Sequence, residues 1–158
     1  MLIRSLEPAD VESCIELGRL LHQESPTYSR FSFNEKRLYS LAETCLNHPD
    51  YCCFIAEDSD SNIVGMMIGV TGNHFFSDYK YAADLTLFVK PENRGSSAAL
   101  RLITAFCIWA EAIGCDEIRC GITTGIKTEI SGRIYKKFGF NEEGNLYVKV
   151  IPKSQSVH

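Results

Sequence analysis

The most constraining feature of this sequence is a strand pattern that is followed, after a proline turn, by a helix pattern. Residues 82–90 form a largely apolar run that ends at Pro91, and an apolar helix pattern follows over 94–114. The first turn of that helix has only small residues: Gly95, Ser96, Ser97, Ala98 and Ala99. The segment therefore predicts a strand–turn–helix unit in which a ligand can approach the start of the helix closely.

The start of this predicted helix is suited to binding an anion such as a phosphate. The first N–H groups of a helix have no partner inside the helix, and the helix dipole favours negative charge there. Arg94, just before the turn, can contact a phosphate oxygen. In the alternative interpretation, the Gly-Ser-Ser sequence only caps the helix and Arg94 is solvated. The sequence contains neither GxGxxG nor GK[ST], which excludes the usual dinucleotide-binding and Walker loops.

The rest of the chain alternates helix and strand patterns in an order typical of an α/β domain. The predicted strands are Leu2–Ser5, Tyr51–Glu57, Ile63–Val70, Ala82–Lys90, Glu117–Thr123 and Leu146–Ile151. Helices are predicted after Pro8, from about Asn34 to Pro49, over 94–114, and around Ile130, Ile134 and Phe138. The sequence thus predicts one domain over residues 1–152, built around a mixed sheet, and a polar C-terminal tail over 153–158.

Composition and charge exclude several classes of protein. Of the 158 residues, 45% are hydrophobic and 23% are charged, as in an ordinary globular protein. The formal net charge of −4 and the lack of a basic run argue against a nucleic-acid partner. No apolar stretch approaches the roughly 20 residues of a membrane span, and the N-terminus does not resemble a signal peptide. Seven cysteines without a CxxC pair suit a reducing compartment, so a cytoplasmic protein is expected, and no cluster has metal-ligand spacing.

Two segments together resemble the signature motifs of one enzyme family. The run LFVKPENRGSSAALRLI (87–103) is similar to motif A of the GNAT family of N-acetyltransferases, a strand and proline turn followed by R/Q-x-x-G-x-G/A at a helix start. The run IYKKFGF (134–140) resembles the family's later segment, an aliphatic residue, Tyr, three further residues, Gly and Phe. Ser97 stands where the family usually has its middle glycine. The order of elements is also similar along nearly the whole chain.

The resemblance implies a fold and a cosubstrate. The fold would be a mixed, mostly antiparallel sheet flanked by about four helices, with strands splayed at the cofactor cleft. Acetyl-CoA would be the cosubstrate, without a metal, and its pyrophosphate would contact Arg94, Gly95, Ser96, Ser97, Ala98 and Ala99. The pantetheine arm would pair with the backbone of Leu87, Phe88 and Val89, where one N–H would polarise the thioester carbonyl.

The resemblance also implies roles for two titratable residues. Tyr135 matches the family tyrosine that protonates the departing thiolate, although it could be only a half-buried aromatic residue. The family commonly places a general base on the strand before motif A, where this sequence has Asp84. A carboxylate inside an apolar strand is unusual, and strict alternation places Asp84 on one face with Thr86 and Phe88. Asp84 is therefore a candidate base, directly or through a water held by Thr86, or else a partner for Arg119 or a loop N–H.

The acceptor side is predicted from aromatic residues in two loops. In the family, the segment between the first two helices and the loop before the motif A strand line the acceptor cleft. The candidates in this sequence are Tyr28, Phe31, His74 and Tyr81. An aromatic wall would hold an amine cation by cation–π contact, but these residues could equally pack over the sheet or form a dimer contact.

The resemblance therefore implies an enzyme that transfers acetyl from acetyl-CoA directly to a primary amine of a small molecule or a protein. The alternative is an acyl-CoA-binding sensor or interaction domain of the same fold that has no catalytic step. Many members of the family are dimers, so a homodimer is suggested by resemblance as well.

Overall fold

The computed structural model describes residues 1–153 as a five-stranded sheet with four helices. The strands are β1 (Leu2–Ser5), β2 (Tyr51–Glu57), β3 (Ile63–Asn73), β4 (Lys80–Val89) and β5 (Glu117–Arg119). The helices are α1 (Val11–Glu24), α2 (Glu35–Asn47), α3 (Ala98–Ala112) and α4 (Thr128–Lys137). Of the predicted polar tail over 153–158, residues 154–158 lie outside the described residues.

The sheet is mixed and mostly antiparallel, which confirms the predicted fold class. Its strand order is β1-β2-β3-β4-β5, and only β4 and β5 are parallel. A parallel pair needs a long crossover connection, and α3 is the helix that returns the chain from the end of β4 to β5. One core lies between the sheet and α3, and a second lies between the opposite face and α1 and α2. Every helix of the described chain is too short or too polar to cross a lipid bilayer.

Helix α3 packs so closely on the sheet that one strand position must be glycine. The buried residues of α3 recur at helical spacing: Ala98, Leu102, Ile103, Phe106 and Ala110. The ring of Phe106 lies directly over Gly69 of β3, because a Cβ at Gly69 would stand 2.2 Å from Cε2 of that ring. Gly69 therefore sets the distance between α3 and the sheet, and with it the position of the turn before α3.

Gly69→Ala is expected to lower the free energy of unfolding by about 1–3 kcal/mol, because the added methyl group overpacks the core at Phe106. The matched control is Gly144→Ala, where a Cβ would meet no atom within 4 Å and a change within about 0.5 kcal/mol is expected. Urea unfolding of both variants measures the difference. Equal stabilities of the two variants would contradict this account of α3 packing.

A bulge in β4 overturns one prediction made from strict alternation. Adjacent residues of β3 pair with Asp84 and Thr86, so Leu85 between them has no partner. Ala82 consequently lies in the core under α3, whereas Phe88 lies in the core under α1 and α2. The prediction that Asp84, Thr86 and Phe88 share one face is wrong, because the extra residue reverses the alternation after Asp84.

The C-terminal part of the chain also differs from prediction. The predicted strand Leu146–Ile151 is wrong: residues 141–153 form no strand, and β5 ends at Arg119 rather than at Thr123. Within the described residues, the segment after Phe140 makes no backbone hydrogen bond to another strand. The large apolar side chains of Leu146–Ile151 are consequently exposed.

Candidate functional site

Strands β4 and β5 separate part-way along their length. They pair only between Tyr81–Ala83 and Glu117–Arg119, and the rest of β4 pairs with β3 alone. The outer backbone edge of β4 is therefore open over residues 84–89, beside the segment that follows β5. This is the splayed arrangement that the sequence resemblance implied.

A small cavity of about 110 Å³ lies in this opening. Its walls come from β4, from the segment after β5, from α4 and from the turn after α1. The lining residues include Tyr28, Asp84, Thr86, Leu87, Gly121 and Tyr135. The fold thus brings both predicted catalytic residues and one predicted acceptor-side residue to the same cavity.

The Asp84 carboxyl has the properties of a base that titrates close to neutrality. Burial raises its pKa to about 6. The Gly121 N–H donates a hydrogen bond to Oδ1 at 3.0 Å, which lowers the pKa by a smaller amount. Arg119, the other predicted partner, bonds Glu117 at 2.5 Å and stacks over the ring of Tyr81 at 3.9 Å. With this pKa the carboxyl is ionised at neutral pH yet readily protonated, and no cation within residues 1–153 pairs with Asp84 to lower the pKa.

The hydroxyl of Tyr135 is held in its protonated form. The side chain is buried on α4, and its ring meets Phe140 edge-on at 5.5 Å. Burial, followed by the negative charge of Asp84, raises the pKa of Tyr135 well above its usual value. Tyr135 is therefore suited to donate a proton and unsuited to accept one.

The Thr86 hydroxyl is a buried polar group without a partner. Its Oγ1 atom makes no hydrogen bond within the described chain, although Thr86 lines the cavity. Buried hydroxyls are normally paired, so this one marks a place for a water molecule or a ligand atom. Because of the bulge, Asp84 and Thr86 approach the cavity from opposite faces of β4.

The turn before α3 presents free backbone donors beyond the end of β4. The N–H groups of Gly95, Ser97 and Ala99 meet no acceptor in the part of the chain that the structure describes. Gly95 has a φ of +86°, a left-handed conformation that glycine adopts without strain. Ser97 has a φ of −76°, so a side chain in place of the family's middle glycine fits this turn.

Arg94 already has a partner that the sequence did not indicate. Its guanidinium contacts both carboxylate oxygens of Glu24 at 2.5 and 2.6 Å, and its Nε donates to the Val89 carbonyl at 3.0 Å. The hydrogen bond from Arg94 lowers the pKa of Glu24. The ion pair of Arg94 and Glu24 holds the turn before α3 against the end of α1. No local signal could have revealed it, since 70 residues separate the two.

Two of the four predicted acceptor-side residues lie at or beside the cavity. Tyr28 lines it, and its hydroxyl is 3.0 Å from Oγ1 of Thr123. The exposed ring of Phe31 lies 6.2 Å from the Tyr28 ring, measured between centroids. These two neighbouring rings, of which Tyr28 lines the cavity, are named here the aromatic wall.

The other two predicted acceptor-side residues lie apart from the cavity. His74 is at the tip of the β3–β4 hairpin, where it stacks on Phe75 and Phe76. Tyr81 belongs to the part of β4 that is still paired with β5 and contacts Arg119. Neither residue lines the cavity that holds Asp84 and Tyr135.

Burial keeps several of the cysteine thiols protonated. All seven thiols are free. Burial raises the pKa of Cys45 to about 11 and that of Cys52 to about 12, so both stay protonated and unreactive. No group of three or more His, Cys, Asp and Glu within residues 1–153 is arranged to hold a metal ion.

Comparison with known proteins decides the family. The model of the acetyltransferase (GNAT) family matches residues 17–140, well over half of the chain. The chain belongs to the GNAT family. The matched range of this GNAT chain contains the open edge of β4, the turn before α3, Asp84 and Tyr135.

Solved structures share the GNAT fold along almost the whole chain. Glucosamine-6-phosphate N-acetyltransferase from Arabidopsis thaliana is 18% identical, with 96% of this chain and 98% of that chain covered and a TM-score of 0.73. The aminoglycoside 6'-N-acetyltransferase AAC(6')-IG from Acinetobacter haemolyticus is 20% identical, with 97% and 100% covered and a TM-score of 0.72. AAC(6')-Iy in complex with the bisubstrate analogue CoA-S-monomethyl-acetylneamine is 19% identical, with 96% and 98% covered and a TM-score of 0.76. No curated protein sequence matches the chain.

Proposed function

We propose that this GNAT protein transfers an acetyl group from acetyl-CoA directly to a primary amine. The observation that carries the proposal is the cavity between β4 and β5, which holds an ionised carboxylate with a pKa of about 6 and a protonated tyrosine. Direct transfer needs a base for the amine proton and an acid for the departing sulfur. Asp84 and Tyr135 are suited to these two tasks.

The open edge of β4 and the start of α3 fit acetyl-CoA, which supplies the acetyl group as a reactive thioester. Free N–H groups in the turn 94–99 would bind the pyrophosphate, with Arg94 held beside it by Glu24. The unpaired edge of β4 at Leu87, Phe88 and Val89 offers backbone groups to the pantetheine arm. One N–H of this stretch would polarise the thioester carbonyl.

Proton movements follow from the positions of three side chains. The Asp84 carboxylate would accept the proton of the amine, either directly or through a water molecule bound to the unpaired Oγ1 of Thr86. The Tyr135 hydroxyl would donate its proton to the departing sulfur. The Gly121 N–H holds Oδ1 of Asp84 in place and leaves the other carboxylate oxygen available.

The acceptor is proposed to be an amine cation that passes the aromatic wall of Tyr28 and Phe31. Tyr28 lines the cavity and Phe31 is exposed beside it, so a cation–π contact could hold a charged amine near Asp84. Several fold neighbours are named for aminoglycoside and glucosamine-6-phosphate acetylation, which supports a small-molecule amine. Seven free thiols support a cytoplasmic location.

Thiol release from acetyl-CoA tests the activity. The acceptors would be primary amines of several classes: aminoglycosides, amino sugars, polyamines and a lysine peptide. We expect amine-dependent thiol release with at least one class, an acetylated amine by mass spectrometry, and no release with the N-acetylated form of that amine. Binding of acetyl-CoA without release for any amine would instead favour the sensor of the same fold.

Ser97→Glu is expected to weaken acetyl-CoA binding by about 10- to 100-fold, because a carboxylate would stand at the proposed phosphate site. Ser40→Glu, on the exposed surface of α2, introduces the same charge away from the turn and is the control. Equilibrium dialysis with labelled acetyl-CoA measures both. Equal affinities of the two variants for acetyl-CoA would mean that the pyrophosphate does not bind at the turn before α3.

A further inference from the structure

Ser25, directly after α1, is a buried polar residue that the proposed proton transfers do not use. Its side chain is fully buried, and the only other buried polar or charged residue of the described chain is Asp10, which bonds Arg4. Serine is mostly found on protein surfaces, and burying a hydroxyl costs free energy unless the hydroxyl is hydrogen-bonded. The hydrogen bonds of Ser25 should therefore account for its place in the core.

The Ser25 hydroxyl joins two segments that are distant in the sequence. It donates to the Thr124 carbonyl at 2.5 Å, across 99 residues, and its oxygen accepts the Tyr28 N–H at 3.0 Å. The bond from Tyr28 is an ordinary local turn contact of serine and needs no functional reason. The bond to Thr124 is different, because it fixes the turn after α1 to the segment that follows β5.

Both segments form sides of the small cavity between β4 and β5. Tyr28 lines it from the turn after α1, whereas Thr123 and Thr124 line it from the segment after β5. The Tyr28 hydroxyl lies 3.0 Å from Oγ1 of Thr123, so a second contact joins the same two sides near the surface. Ser25 does not line the cavity and would act on a ligand there only through these sides.

The segment after β5 depends on such contacts because it has no regular structure of its own. Residues 120–127 belong to neither a helix nor a strand. The Gly121 N–H donates to Asp84 at 3.0 Å, and three residues later the Thr124 carbonyl accepts the Ser25 hydroxyl. Side chains therefore position this side of the cavity, one from β4 and one from the turn after α1.

We propose that Ser25 is a positioning residue for the amine acceptor, whose hydroxyl holds Tyr28 and the segment 123–124 at the separation that the acceptor needs. The positioning role rests on the proposed acetyl transfer, whereas the contact itself does not. The hydrogen bonds of Ser25 reach neither Asp84 nor Tyr135 nor the turn before α3. Loss of the hydroxyl should therefore affect the amine more than acetyl-CoA or the transfer step.

Ser25→Ala is expected to raise KM for the amine by about 10-fold while lowering kcat by less than about threefold. The Kd for acetyl-CoA should change by less than about twofold, which also shows that the variant is folded. Ser29→Ala is the matched control, because it removes a hydroxyl of the same turn that bonds only the nearby Pro26 carbonyl at 3.4 Å. An equal rise of KM in both variants, or an unchanged KM in Ser25→Ala, would overturn the positioning role.

Ser25→Thr and Ser25→Val separate the hydroxyl from the packing of the core. The two side chains have similar volume and both suit the extended backbone of residue 25, but only threonine keeps the hydroxyl. The KM for the amine is expected to be lower in Ser25→Thr than in Ser25→Val by about 10-fold. Equal KM values would mean that packing, and not the hydrogen bond, determines the effect.

Hydrogen exchange of single amides, followed by NMR, tests the contact without any acceptor. The Tyr28 N–H bonds Ser25 Oγ, and the Ile126 N–H bonds Oγ1 of Thr124 at 3.2 Å. Both amides should exchange faster in Ser25→Ala and at the unaltered rate in Ser29→Ala. Unchanged exchange in Ser25→Ala would overturn the contact. Faster exchange in a chain that acetylates no amine would support the contact but reject the proposed transfer, and the positioning role with it.

Discussion

Tyr135→Phe is expected to lower kcat by about 100-fold or more while changing the Kd for acetyl-CoA by less than about twofold. The change removes only the hydroxyl, which is held protonated by burial and by the charge of Asp84. The buried ring and its edge-on contact with Phe140 remain, so α4 should keep its place. Steady-state thiol release gives kcat, and titration with acetyl-CoA gives the affinity.

The control for this variant is Tyr39→Phe, which removes a hydroxyl that bonds Glu12 on the surface at 2.6 Å. Its kcat should equal that of the unaltered protein. An unchanged kcat in Tyr135→Phe would mean that water or another group protonates the sulfur. A loss of kcat in both variants would point to a general effect of the substitutions.

Asp84→Asn is expected to lower kcat/KM by about 100-fold or more. The same substitution is expected to raise the free energy of unfolding by about 1–3 kcal/mol at about pH 8. The activity falls because the amide cannot accept the proton of the amine. The stability rises because folding at this pH buries an ionised carboxylate whose pKa is raised to about 6. The amide oxygen can still accept the Gly121 N–H bond.

The pH dependence gives the sign of this effect. The folded-state pKa of Asp84, about 6, lies above its unfolded value of 3.8. The free-energy cost of burying the ionised carboxylate is therefore absent below about pH 3.8 and complete above about pH 6. The stability advantage of Asp84→Asn should therefore shrink between about pH 6 and 4. In the unaltered protein, kcat/KM should fall as the pH drops below about 6. Asp60→Asn, in an exposed turn, is the control for both measurements, and a matching gain in stability there would contradict the account.

Local sequence patterns predicted the elements that depend on local interactions. Helix α2 follows Asn34, whose side chain accepts the Arg37 N–H, and it ends before Pro49, so both of its ends are encoded nearby. The unit of strand, proline turn and helix is encoded in the same way. That Tyr135 and Asp84 line the same cavity could be inferred only from the motif resemblance, since the two lie on separate elements.

The features that were mispredicted or missed depend on contacts between distant segments. The bulge at Leu85 arises from the register with β3, and nothing in the strand's own sequence shows it. The pair of Glu24 and Arg94 forms because the end of α1 meets the turn before α3. The segment Leu146–Ile151 has the alternation of a strand, but it pairs with no strand of the described chain, which its own residues could not reveal.

Calorimetric titration of the unaltered protein with acetyl-CoA tests the central claim most directly. The predicted result is binding at micromolar affinity that Tyr135→Phe keeps and Ser97→Glu weakens by about 10- to 100-fold. The reason is that the turn before α3 would bind the cosubstrate, whereas Tyr135 would act only in the transfer. A folded protein that shows no binding of acetyl-CoA would contradict the account, and the roles proposed for Asp84 and Tyr135 would be abandoned with it.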